Sequence, residues 1–283
     1  MSSTEREPLL PGVLAVTPED GRALVRAVRR LENPGLAARL SSKLGSSIEK
    51  SFKLLPDRAY AALHQVVRRS LETSLGVAIH SLGSSRPVTR RKRHHKVLSA
   101  VSGAAGGLFG LPAVLAELPL TSTILLRSVA DIARYEGEDL ATLDARLACL
   151  EVFALGGRAS GESAADTGYY GVRLGLAMHF STISEEVATR GIVRWSPPAL
   201  VRFIAEVASR FGVAVTQKAA VQMVPVLGAA TGSIVNLIFL EHFQDVAEAH
   251  FTIRRLERRY GAKTVRAEYE RLQKHAMVPA NEL

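Results

Sequence analysis

VLSAVSGAAGGLFGLPAVLAELPLTSTILL, residues 97–126, carries a single charge, Glu117, and a second run, AAVQMVPVLGAATGSIVNLIFL, residues 219–240, carries none. Neither shows the period-two alternation of a half-buried strand, and both are too long for one, so each reads as buried helix. The first holds Gly103, Gly106, Gly107 and Gly110, two overlapping G-x-x-x-G spacings, and the second repeats the spacing with Gly228 and Gly232. On a helix, residues i and i+4 share a face, and glycine there lets a second backbone approach. Each glycine costs about 1 kcal/mol against alanine in a helix interior, so these positions are expected to be offset by close helix packing. Pro112 and Pro119 are expected to interrupt the first run, with helix resuming from Leu120 to about Glu136; Pro225 lies inside the second. The second run is long enough to cross a bilayer, which takes about 20 apolar residues. Gln222, Pro225, Thr231, Ser233 and Asn236 make that crossing marginal, since each strongly apolar residue contributes only about −0.3 to −0.6 kcal/mol to insertion. Both runs therefore read as buried or interfacial hairpins.

Outward from these runs the pattern stays helical. Thr17-Pro18-Glu19-Asp20 combines an N-cap, a proline at the first helical position and first-turn acids. Leu24, Val25, Val28 and Leu31 then give an apolar stripe, which Asn33-Pro34-Gly35 stops. Asp57 opens a helix with Tyr60, Leu63, Val67, Leu71, Leu75, Ile79 and Leu82 at three- or four-residue spacing. Thr142 caps a helix that ends at Gly156-Gly157, and Gly171 and Gly175 mark another. Trp195-Ser196-Pro197-Pro198 breaks the chain before a short helix to about Arg210, Lys218 precedes the second run, and Gly261 closes a helix continuing from that run through Tyr260. Thr264 starts a last polar helix. The expected fold class is all-α, a single helical domain around two long Gly/Ala-rich helical hairpins, with an N-terminal arm at 1–16, the domain at 17–276 and a tail at 277–283.

Charge narrows the function. The 283 residues include 36 Lys and Arg against 27 Asp and Glu, a formal charge of +9, which favours a polyanionic partner. Aromatic residues make up only 6% of the chain, and RNP, zinc-finger and helix-turn-helix spacings are missing, so nucleic acid is disfavoured. The basic residues concentrate at Arg86, Arg90, Arg91, Lys92, Arg93 and Lys96, immediately before the first apolar run. As lipid- and anion-binding residues they would add about 1 kcal/mol each at an anionic membrane face; as a linker they would simply be solvated. A single cysteine, Cys149, excludes an internal disulfide framework, and the N-terminus lacks a secretory pattern. The expected location is cytoplasmic, in association with the inner face of the membrane.

Chemistry is sparse. There is no G-x-S-x-G, no H-E-x-x-H and no phosphate loop; Gly157-Arg158-Ala159-Ser160-Gly161 has the wrong spacing for a nucleophile elbow. Glu241, His242, Asp245, Glu248 and His250 share one helix, but the acids and His250 fall on different faces, which argues against a metal site. Leu126 to Ala133 aligns with Leu240 to Ala247, each placing an Asp five residues after the Leu. Arg127 and Asp131 are i,i+4 partners, and pseudo-symmetric packing would bring Arg127 to Glu241 or Asp245. Arg127, Asp131, Glu241, His242 and Asp245 are thus expected to form a polar network, because buried charges persist only when paired.

LPLTSTILLRSVADIARYEGEDL (118–140), DARLACLEVFALGG (144–157) and the string from Ser209 through AAVQMVPVLGAATG to Gly261 resemble the EcsC protein family of bacteria, over about residues 50 to 262. The resemblance implies a helical fold and no agreed activity; the peptidase label given to some members is not supported by these residues. The sequence expectation is a peripheral, lipid-interacting helical protein without catalytic residues, metal or cofactor, partnered by an anionic membrane surface, a lipid or a membrane protein. A hydrolase of a lipid or envelope substrate, built on Asp131, Asp245 and His242 or His250, is the alternative, and a helical scaffold for a protein partner is the third reading.

Overall fold

The computed structural model describes residues 16–32, 35–44, 56–81, 111–157, 168–190, 198–222 and 228–277. Among the described residues there are nine helices and no strand: α1 (Pro18–Glu32), α2 (Leu36–Leu44), α3 (Asp57–Ser81), α4 (Leu111–Tyr135), α5 (Leu143–Gly156), α6 (Tyr169–Arg190), α7 (Pro198–Gln222), α8 (Gly228–Tyr260) and α9 (Ala262–Met277). The domain is all-α. No described helix is long and apolar enough to cross a membrane.

Local chemistry sets many of the helix ends. Thr17 Oγ1 accepts from the Asp20 amide at 3.2 Å, and Thr142 Oγ1 from the Ala145 amide at 3.3 Å, each satisfying one amide that the first turn leaves over. At the end of α4 the Glu138 amide bonds the Ala133 carbonyl and the Gly137 amide the Arg134 carbonyl. Gly137 is left-handed at φ +84°, so this is a Schellman cap. Gly261, at φ +87°, likewise ends α8.

Two helices act as hubs. α8, 33 residues long and about 50 Å from end to end, packs on α1, α2, α4, α5, α7 and α9. α7 packs on α2, α3, α4, α5, α6 and α8. The most enclosed element is the short α5, buried from Leu147 through Gly156 without a polar face, as a helix surrounded on all sides must be. Phe153 of α5, Phe211 of α7 and Phe243 of α8 meet there, Phe153 edge-on to Phe211 at 4.8 Å and Phe211 edge-on to Phe243 at 5.4 Å between ring centres.

Three glycines of α5, its end and α7 stand in close approach to a neighbouring helix. A Cβ on Gly157 would stand 2.0 Å from the Arg210 carbonyl oxygen, one on Gly156 2.4 Å from the Phe243 ring, and one on Gly212 2.5 Å from the His64 ring. Of the expected packing glycines, Gly103, Gly106, Gly107 and Gly110 lie outside the described residues; Gly228 opens α8, and Gly232 is buried one turn later.

Two helix boundaries and the placement of one side chain differ from the sequence reading. α4 runs unbroken through Pro119, whose ring is exposed, so the carbonyl that proline leaves unpaired has access to water, while buried residues on both sides hold the helix together. Pro112 sits in the first turn, where its missing N–H has no intrahelical role. α7 does not stop near Arg210 but continues to Gln222, because Phe211, Ala214, Val215, Lys218, Ala219 and Val221 are all buried against neighbouring helices. Tyr60 is exposed rather than in the α3 core stripe, its ring 4.3 Å from that of His64.

Candidate functional site

Lys218 is fully buried in α7, and an ammonium there persists only with a partner. Its Nζ donates to Glu117 Oε1 of α4 at 2.9 Å. Asn236 Nδ2 of α8 donates to the same oxygen at 2.6 Å, and Thr121 Oγ1, one turn along α4, at 2.8 Å. Glu117 therefore ties α4, α7 and α8 together. Burial pulls the Lys218 pKa down, opposed by the charge and hydrogen bond of Glu117. Nζ also lies 5.3 Å from the centre of the Phe239 ring, a favourable place for a cation. Glu117 Oε2 and both polar side-chain atoms of the buried Gln222 have no hydrogen-bond partner among the described residues.

On its outer side α4 shows an apolar face to solvent. Pro112, Ala116, Pro119 and Leu120 are exposed, with Leu120 at 56%. Their spacing places them on one side of the helix, opposite the buried stripe of Val114, Leu118 and Leu125. Ile234 of α8, 46% exposed, stands two residues from Asn236 and so at the same level of the bundle. The basic stretch Arg86, Arg90, Arg91, Lys92, Arg93 and Lys96 precedes this face in the chain and lies outside the described residues.

A second buried constellation joins α5, α6 and α8. Arg173 donates to both carboxylate oxygens of Glu257, at 2.8 and 3.0 Å, and to the Tyr169 hydroxyl at 3.2 Å. Tyr169 is then left to donate its own proton to His250 Nδ1, 3.1 Å away. That arrangement puts the imidazole proton on Nε2, which stands 3.4 Å from Glu151 Oε2. Burial pushes Glu151 up to about 7, partly opposed by Arg173 and Arg254. Burial, followed by the same two arginines, holds His250 well below its usual value, so the imidazole is neutral.

The arginines near the end of α8 form internal ion pairs rather than an open basic patch. Arg254 binds Glu138 at 2.9 Å and Asp144 at 2.6 Å, and Arg258 also bonds Glu138. Arg255 bridges Asp20 and Glu136 at 3.1 and 2.9 Å. Asp20 further accepts from Arg259 at 3.0 Å and from the Tyr260 hydroxyl at 2.7 Å. Burial raises the Asp20 pKa, but the Tyr260 and Arg255 bonds and the charges of Arg255 and Arg259 outweigh it and hold the carboxyl below its ordinary range. Glu138 is likewise held low by Arg254 and Arg258 against burial.

The expected polar network is drawn differently. Arg127 is exposed, and Asp131 pairs with Arg134 at 3.4 Å, because the side chain one turn on reaches back over the same face. Asp245 is met by Arg39 at 2.7 Å and by Arg30 at 3.9 Å, and Glu248 by Arg30 at 2.6 Å. The acidic face of α8 is thus covered by arginines from α1 and α2. His242 Nε2 donates to the Gly156 carbonyl at 2.8 Å, tying α8 to the end of α5, and Glu241 is half-buried beside it on α8. Among the described residues no three His, Cys, Asp or Glu side chains form a group able to hold a metal ion. Cys149 is buried and its thiol is pushed up to about 12, chiefly by burial.

The family model described as the EcsC protein family matches residues 17–256. The chain belongs to the EcsC protein family. The match begins at the N-cap of α1, earlier than the sequence strings suggest, and α1 is the helix whose Asp20 and Arg30 dock on α8. No curated protein and no solved structure matches this EcsC family chain.

Sequence reasoning missed Lys218, Glu117 and Glu151 as a set. The signal was present: each is the one acid or base in a long apolar stretch, and a lone charge inside a core has to be met from elsewhere in the fold.

Proposed function

We propose that this EcsC family protein is a peripheral, lipid-binding helical protein that works against the cytoplasmic face of a membrane without chemistry of its own. The observation that carries the reading is the exposed apolar face of α4, Pro112, Ala116, Pro119 and Leu120, which follows six basic residues in the chain. A basic stretch attracts anionic headgroups at about 1 kcal/mol per charge, and apolar side chains beside it add burial at the headgroup boundary. The internal pairing of the α8 arginines leaves the stretch from Arg86 to Lys96 as the main source of the chain's excess positive charge. A hydrolase built on Asp131, Asp245 and His242 has less support, since Asp131 and Asp245 are held by arginines and His242 by a backbone carbonyl.

The test is sedimentation with anionic liposomes at low and high salt. The wild type is expected in the pellet at low salt and released at high salt, and replacing Arg90, Arg91, Lys92 and Arg93 by alanine is expected to leave it in the supernatant. Equal recovery of both proteins in the pellet would count against the reading.

A further inference from the structure

The two longest nearly uncharged stretches of the chain are 97–126 and 211–240, and each contains one formal charge: Glu117 in the first, Lys218 in the second. These two charges, 101 residues apart in sequence, meet at 2.9 Å in the core. Asn236, from the same second stretch, donates to the same carboxylate oxygen. The two charges that would most oppose transfer of these segments into hydrocarbon are therefore paired with each other.

We infer that the Glu117–Lys218–Asn236 cluster is a charge latch that holds the apolar helices α4, α7 and α8 to one another when the molecule meets a lipid surface. The inference rests on the lipid-surface reading above and adds what decides between lying on the bilayer and entering it. With the latch closed, neither charge is open to lipid, and α4, α7 and α8 pack on one another around it. Opening it would present an unpaired carboxylate and ammonium to a medium that solvates neither. All three donors of the latch meet one oxygen of Glu117, and its Oε2 has no hydrogen-bond partner among the described residues. Such a pair contributes less to net stability than to the choice among competing arrangements.

The experiment compares the wild type with the triple variant Glu117→Leu/Lys218→Met/Asn236→Leu, which removes all three groups together and leaves no buried charge alone. The full chain is partitioned between water and a phase-separating non-ionic detergent, and separately extracted from vesicles with alkaline carbonate. The wild type is expected in the aqueous phase and fully carbonate-extractable. The triple variant, with helix content retained by circular dichroism, is expected to move predominantly into the detergent and to resist extraction. Should that variant not fold, Glu117→Gln/Lys218→Gln keeps polar groups without charge and is expected to give at least a several-fold rise in the detergent fraction. A folded variant that stays aqueous overturns the inference. So does an equal shift caused by Arg127→Leu, which removes a charge from the exposed side of α4 without touching the latch. Detergent partition does not require the wild type to bind vesicles, so failure of the latch and failure of the lipid-surface reading give different results.

Discussion

Glu151 and Asp20 are both buried acids, yet their surroundings push them in opposite directions, and their pH signatures differ in sign. Glu151 is raised to about 7 by burial, whereas an unfolded glutamate titrates near 4.3. Between those values the unfolded chain has released a proton that the folded chain still holds, so this residue's contribution to stability falls as pH rises through that window. Glu151→Gln is expected to be close to wild type in urea unfolding at pH 4.5 and more stable than it above pH 7, by a few kcal/mol at most; an equal loss at both values would contradict the assignment. Asp20 is held below its ordinary range by Tyr260, Arg255 and Arg259. Its contribution is present above the unfolded value, near 3.9, and disappears as pH falls through the lower folded one. Asp20→Ala is expected to cost about 1–3 kcal/mol at pH 7, because Tyr260 and the part-exposed Arg255 and Arg259 lose a shared partner while Arg255 keeps Glu136. Acid titration of its stability is expected to give a shallower loss than the wild type shows.

At the scale of the element, the glycines divide by what lies next to them. A Cβ on Gly157 would overlap the α7 backbone at Arg210, and a backbone carbonyl cannot rotate aside as a side chain can. Gly157→Ala is expected to destabilise by about 3 kcal/mol, the upper end for an overpacked site. Gly21, inside α1, has nothing within 4 Å of an added Cβ, and Gly21→Ala is expected to stabilise by about 0.5–1 kcal/mol through lost freedom in the unfolded chain. Urea midpoints of the two variants on either side of the wild type check both. The same division explains what could be read from sequence. The caps at Thr17, Thr142 and Gly261 were legible because a cap depends on a few adjacent residues. The continuity of α4 through Pro119 and of α7 past Arg210 was not, since each is decided by what packs against the far side of the helix. Asp131, Asp245 and His242 were visible as polar residues in apolar surroundings. The partners of Asp245 and His242 come from α1, α2 and α5, at separations no local pattern encodes, while Asp131 turned to Arg134 rather than Arg127 on its own helix. The basic stretch from Arg86 to Lys96 and the glycines from Gly103 to Gly110 fall outside the described residues.

At the scale of the whole molecule, the charges are sorted. Arginines of α8 and the acids of α1, of the turn after α4 and of α5 cancel one another around Asp20 and Glu138, and Glu117 and Lys218 cancel inside the bundle. The proposed lipid contact uses the basic stretch before α4 and the apolar face of α4 that follows it. The account stands or falls on whether that face meets lipid. Leu120→Cys, labelled with an environment-sensitive dye, reads this directly, because Cys149 is buried with its thiol pushed up to about 12 and does not compete for the label. Addition of anionic vesicles is predicted to shift the emission of the dye to the blue, and high salt to restore it. Emission unchanged at vesicle concentrations that sediment the protein, or no sedimentation at all, would contradict it.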